Sequence, residues 1–441
     1  MTSRRRMLVR TIFISPYICA RCATKPATLT RRLLSTAARD KSIPATFSSF
    51  FFHNTQWNTA ASSRPTSVPT AHFARQVALP PSSTASEDVH PPSALIGYRP
   101  AEVLTPRRLV NVYAQLAKSR LTVLVVLTAM AGVAVSPLPA TVPVLLSTAV
   151  GTVLCSASAN AFNQIQEVPF DAQMARTRMR PLVRKAISPL HASCFAVASG
   201  SLGTGLLWTM VNPTTAILGA ANIVLYAGVY TYLKRTSIWN TWIGAVVGAI
   251  PPLMGWTACG GQLLPSSAQP IELFWPSFMS SIPTLDPSLI DNPLSAFALF
   301  MLLFSWQFPH FNSLSYIVRS SYAQAGYHML SVISPKKNSL VAFRHAVILG
   351  SVCSILIPIS GLTTWTFAFT SLIPNLLGIR AAWAFWRFGG EKQARALWQH
   401  CLWYLPVVLG LMMFHKQGLD WTAWFSNGEG SRAEAEGVDN S

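Results

Sequence analysis

The stretch "NAFNQIQEVPFDAQMARTRMRPL", residues 160–182, is the most polar run in an otherwise apolar region. It sets Asn163, Glu167 and Asp171 four residues apart and follows them at once with Arg176, Arg178 and Arg180. On an α-helix this spacing puts the three oxygen-bearing side chains on one face, each within about 6 Å of the next. Pro169 has no amide hydrogen and is expected to bend the helix near its end. Carboxylates facing lipid are costly, so this face is expected to turn toward a cavity.

The surroundings make that cost relevant. Half of the 441 residues are apolar (51%) and only 11% are charged, whereas a soluble domain carries about a quarter. A net charge of +19 would suggest nucleic acid in a soluble protein. Here the basic residues fall in the N-terminal arm and in short loops, the distribution of targeting and topology signals, so no nucleic-acid partner is expected. Cys19 and Cys22 form a lone CxxC with no second pair at zinc spacing.

Residues 1–39 contain nine Lys or Arg and no Asp or Glu, interleaved with Ser, Thr and Leu. This is the composition of a mitochondrial transit peptide. Residues 40–105 are rich in Pro, Ser and Thr without a sustained period and read as a disordered linker. Residues 106–416 read as the membrane domain, and 417–441 as a polar, weakly acidic tail.

Apolar runs of spanning length occur near 121–137, 142–162, 189–210, 214–233, 241–258, 293–312, 340–360, 364–386 and 400–415, nine in all. The expectation is an all-α, polytopic membrane protein. Connections after the odd runs, such as "VSPLPATV" and "TMVNP", contain no Lys or Arg, while those after the even runs, such as "YLKRTS" and "WRFGGEKQAR", do. Positive loops stay on the side of insertion. In a mitochondrial inner membrane that side is the matrix, with the polar motif beside it.

Two carboxylates and an amide oxygen are hard ligands, and Mg²⁺ is commonly held by one or two carboxylates plus substrate phosphate. Arg176, Arg178, Arg180, Arg184 and Lys185, with Lys234 and Arg235 in the next basic loop, could contact such a phosphate. The same residues are also compatible with a structural ion-pair loop or with a proton or ion relay in a transporter.

"NQIQEVPFD" resembles the first Asp-rich motif of the UbiA-type intramembrane prenyltransferases, N-D-x-x-D-x-x-x-D, in the N-Q-x-x-E-x-x-x-D variant of the haem-farnesylating branch. "MARTRMRPL" resembles that branch's M-x-R-T-x-x-R-P-L. "LAKSRLTVLVV", "YTYLKRTSIWNTWIGAVVGAIPPLMGW", "WQFPHFNSLSYIVRSSYAQAGYHML" and "ARALWQHCLWYLPVVLGL" agree in order, so the resemblance covers about residues 107–415.

The resemblance implies a nine-helix bundle that transfers a farnesyl group from farnesyl diphosphate to a vinyl group of haem b, with addition of water. It implies Asn163, Glu167 and Asp171 as Mg²⁺ and diphosphate residues, Arg176, Arg180, Lys234 and Arg235 as diphosphate contacts, and His310 as a haem contact. Trp306, Phe308 and Tyr232 would line the prenyl channel or face the allylic cation. Association with other steps of haem A synthesis would follow from such a role. Quinone-precursor prenylation is the alternative within enzymes, but that branch keeps Asp where this chain has Gln164. One departure concerns the second motif: an acidic residue usually precedes a Tyr there, and this chain reads Arg319, Ser320, Ser321, Tyr322, so a second metal site is not expected.

Overall fold

Proline stands at the first or second position of six of the helices. Its missing amide hydrogen has no partner to lose there. Thr105, Ser188, Asn212 and Asn292 precede four of these helices and accept amides of Arg108, His191, Thr215 and Leu294. The turn chemistry therefore marks where these helices begin.

The structure, a computed structural model, describes residues 105–418 apart from 268, 277–278 and 280–290. All of these lie in one unit, residues 73–441. The expected leader 1–39 lies outside the described residues, as do nearly all of 40–105 and 417–441. The helices are α1 Pro106–Leu116, α2 Ser119–Val135, α3 Val142–Asp171, α4 Pro189–Met210, α5 Pro213–Thr236, α6 Asn240–Ala258 and α7 Pro293–Ile317. Short α8 Arg319–Gln324 and α9 Leu330–Ile333 precede α10 Pro335–Ile359, α11 Thr366–Thr370, α12 Leu372–Phe388 and α13 Gly390–Phe414. Among the described residues there is no strand, and one isolated bridge joins Thr363 to Lys416.

Helix covers all nine predicted apolar runs, but fewer are long and apolar enough to cross a membrane. Six helices qualify, namely α3, α4, α5, α7, α10 and α13, and a seventh if α1 and α2, bent by 56°, count as one span. The two others are α6, interrupted in composition by Pro251 and Pro252, and α12, only 17 residues long. The described helices thus give six or seven crossings by length and composition, against nine predicted.

Helix α3 packs against α2, α4 and α5, and α7 lies between α6, α10 and α13. Leu299, Leu302 and Leu303 of α7 meet Trp256 of α6, Ile357 of α10 and Val408 of α13 in the largest apolar core. Helices α2 and α6 touch backbone to backbone: a Cβ on Gly255 would lie 1.9 Å from the Ala129 oxygen, and one on Gly132 2.1 Å from that of Pro252. Small residues permit this approach in a bundle whose surroundings are as apolar as its interior. At the end of the bundle where α2 and α13 finish, Lys416 donates to the carbonyls of Ala134 (2.9 Å) and Ser136 (2.7 Å).

Candidate active site

The predicted row on α3 forms as its spacing requires. Asn163, Glu167 and Asp171 are all at most 2% exposed, and the helix continues through Pro169 to end at Asp171. The chain then folds back in successive turns over residues 172–186. Thr177 donates its hydroxyl to the Asp171 carbonyl (2.9 Å), and this brings Arg180 onto the Asp171 carboxylate. Arg180 also lies 3.7 Å from Glu167.

Two lysines join from other helices, so that three cations face two carboxylates. Lys234, on the last turn of α5, donates to Glu167 at 2.8 Å. Lys118, at the corner between α1 and α2, donates to Asn163 Oδ1 at 2.7 Å and to the Tyr226 hydroxyl at 3.2 Å. Residues Val224–Tyr230 of α5 form wide π-type turns, a distortion common at functional sites. They bring Tyr226 and Tyr230 into a stack at 5.4 Å, set the Tyr230 ring 4.6 Å from the Lys234 ammonium, and place the Thr231 hydroxyl to accept from Asn163 (3.0 Å).

The α8–α9 segment closes over the cluster. Tyr327 stacks on Phe170 at 5.3 Å and lies 6.0 Å from the Lys234 ammonium, and its buried hydroxyl has no partner. Burial, followed by the nearby Glu167 charge, pushes the Tyr327 hydroxyl well above its ordinary range, so it stays protonated and able to donate. Where the second motif departs, Arg319 turns to the Tyr316 carbonyl and toward Glu391 (3.7 Å), and Tyr322 packs edge-on against Tyr327.

Several expected site residues lie elsewhere. Arg235 donates to the Gln166 carbonyl and covers the Phe170 ring at 4.4 Å, and Tyr232 is 62% exposed. Successive helical residues point about 100° apart, so neither can share the face of Lys234. Arg176 is exposed on the loop and forms no hydrogen bond or ion pair with the carboxylates among the described residues. Trp306 donates to the Cys401 carbonyl on α13 (3.2 Å) and stacks on His310 at 4.8 Å; the buried His310 Nδ1 has no partner. Phe308 is buried and stacks on His345 at 3.6 Å.

The reading of the sequence missed Lys118, Tyr226, Thr231 and Tyr327. Lys118 stands in the quoted "LAKSRLTVLVV", ahead of the first apolar run, where nothing in the local sequence points it at α3. Among the described residues no three His, Cys, Asp or Glu side chains converge as a metal centre. The oxygens that could hold a cation are those of Glu167 and Asp171 with Asn163 Oδ1, and Asp171 Oδ1 is buried without a hydrogen-bond partner. Hard oxygens with an open valence suit Mg²⁺ that draws its other ligands from phosphate and water.

Two buried carboxylates and an amide, faced by three cations at one end of an all-helical bundle, leave one positive charge in excess, an arrangement that could receive an anionic group. The chain belongs to the UbiA prenyltransferase family, which matches residues 124–405. Within it, the chain is 43% identical over 361 residues to the mitochondrial protoheme IX farnesyltransferase of Gibberella zeae, the match covering 78% of this chain and 69% of that protein. The Neurospora crassa protein of the same name is 42% identical over 356 residues (77% and 67% covered), and the Homo sapiens one 43% over 307 residues (70% and 62%). Among solved structures, one of digeranylgeranylglyceryl phosphate synthase superposes with a TM-score of 0.55 at 15% identity, covering 69% of this chain and 98% of that one. An apo UbiA homolog from Aeropyrum pernix gives 0.50 at 16%, with 67% and 97% covered. At such identities these two establish the shared fold alone.

Proposed function

We propose that this protein transfers the farnesyl group of farnesyl diphosphate to a vinyl group of haem b, with water supplying a hydroxyl, to make haem O for haem A and cytochrome c oxidase. The observation that carries the reading is the buried row of Asn163, Glu167 and Asp171 with Lys118, Arg180 and Lys234 around it. The 40–44% identity to relatives named protoheme IX farnesyltransferase supports haem as the acceptor.

The reaction separates diphosphate from an allylic carbon, so charge grows on the leaving oxygen. Mg²⁺, held by Asn163, Glu167 and Asp171, would supply a Lewis acid for that oxygen. The chain's own part is preorganised positive charge: Arg180, Lys234 and Lys118 are already aimed at the site before substrate enters. The Tyr327 hydroxyl is a further donor, and the Tyr226 and Tyr230 rings offer π faces beside the cations. His310, stacked on Trp306, is assigned to the haem side. Arg176, exposed on the loop, and Arg235, tied to the Gln166 carbonyl beside Phe170, stand outside this cluster.

In this reading residues 1–39 direct the chain to mitochondria, 40–105 are a linker, and 106–416 cross the inner membrane nine times with the basic loops and the site on the matrix side. Association with the next enzyme of haem A synthesis belongs to the same reading. The test is mass spectrometry of haem extracted after incubating the membrane protein with haem b, farnesyl diphosphate and Mg²⁺, beside a Mg²⁺-free control. The expected product is heavier than haem b by a farnesyl and a hydroxyl, and is absent without metal. Unchanged haem from folded protein would overturn the assignment.

A further inference from the structure

Gln164 follows the first residue of the carboxylate row yet faces away from it, toward the end of α1. It is 1% exposed, and its Nε2 donates to two successive carbonyls, Leu116 at 2.7 Å and Gln115 at 3.1 Å. One turn earlier on α3, Asn160 donates to the next carbonyl, Ala117, at 3.1 Å. Three consecutive acceptors at the open end of α1 are thus taken by amides of the carboxylate helix, with Thr122 adding a hydroxyl to Ala117 at 2.9 Å.

Immediately after these carbonyls the chain bends by 56°, and the residue at the bend is Lys118, with φ 50° and ψ 56°. A non-glycine residue persists in the left-handed region only where its surroundings over-determine it. Among the described residues only Lys118 and Lys185 are non-glycine residues with positive φ. The corner points the Lys118 ammonium back at α3, onto Asn163 Oδ1. The amides that hold the corner and the oxygen that receives the ammonium therefore lie within four residues of one another on a single helix.

We infer that Gln164, assisted by Asn160, is a positioning residue for the reaction: it clamps the α1–α2 corner so that Lys118 delivers its charge to the diphosphate site. The inference rests on the proposed reading of the carboxylate row as that site. The role depends on an amide at residue 164. A carboxylate there would set negative charge against two carbonyl oxygens and could not donate to either.

The experiment is a double-mutant cycle on the full chain in nanodiscs, with titration of the slowly reacting analogue farnesyl thiodiphosphate in the presence of Mg²⁺. Gln164→Glu is expected to weaken analogue binding about tenfold and Lys118→Met by at least as much, with the pair little weaker than Lys118→Met alone, since residues acting through one contact are not additive. In turnover, KM for farnesyl diphosphate should rise in Gln164→Glu while KM for haem is unchanged, a split that a general loss of packing would not produce. Asn160→Ala, which removes the bond to Ala117 with two longer contacts to Thr122 (3.5 Å) and Ser156 (3.4 Å), runs the same cycle if Gln164→Glu does not fold. Additive losses, or equal effects on both substrates, would overturn the role of Gln164. If Lys118→Met and Asp171→Asn both bind the analogue normally, the diphosphate site itself is misassigned and the inference goes with it.

Discussion

Glu167 and Asp171 differ in what their loss leaves behind. Asp171 faces Arg180, which is 23% exposed and can be rehydrated, whereas Glu167 faces Lys234, which is 13% exposed. Asp171→Asn should therefore leave the amount of protein in the membrane near normal and lower product by about 10²-fold or more, since it weakens the metal-holding row and frees Arg180, one of the preorganised cations. Glu167→Gln should abolish product too, at some cost in stability from the stranded ammonium; immunoblotting of membranes beside product analysis separates the two. Tyr327→Phe removes the one unpartnered hydroxyl over the site without altering the stack on Phe170. The expected outcome is a rise in KM for farnesyl diphosphate of about 10- to 150-fold, the worth of one hydrogen bond to a charged group. Because the hydroxyl keeps its proton across the working range, the ratio of variant to wild-type rate should not change between about pH 6 and 9.

Two elements set where the cations and tyrosines of the site stand. Helix α2 carries Lys118 at its start and rests on α6 through Gly132 and Gly255. Gly255→Ala would drive a methyl group into the Ala129 carbonyl at 1.9 Å, so α2 must shift or tilt. The expected cost is about 1–3 kcal/mol of stability from overpacking, read as a lower midpoint in a thermal assay, together with a raised KM for farnesyl diphosphate as Lys118 moves with its helix. The π-type turns of α5 are the second element. They bring Tyr226, Tyr230, Thr231 and Lys234 to the carboxylate helix, and no feature of "VLYAGVY" announces them in the sequence.

At the scale of the whole bundle, the first and last membrane helices meet at Lys416, whose ammonium takes up two carbonyls at the end of α2. Lys416→Met should loosen that seam, with a loss of about 1–3 kcal/mol for charge-assisted hydrogen bonds, measurable as a lower midpoint of thermal aggregation in detergent, while KM values stay near wild type because the site lies at the other end of α2.

The amino-acid sequence determined the helical class, the apolar runs, the row of Asn163, Glu167 and Asp171, and membership of the family, because each of these depends on periodicity or on residues close together in the chain. Only the tertiary structure decided which cations meet that row. Lys118 comes from 45 residues before Asn163 and Lys234 from 67 residues after Glu167. Arg235 and Tyr232, next to Lys234 or nearly so, point away. Spacing along one helix specifies that helix's own faces, but how a neighbouring helix is rotated, widened or bent against it is set by packing between residues far apart in the chain.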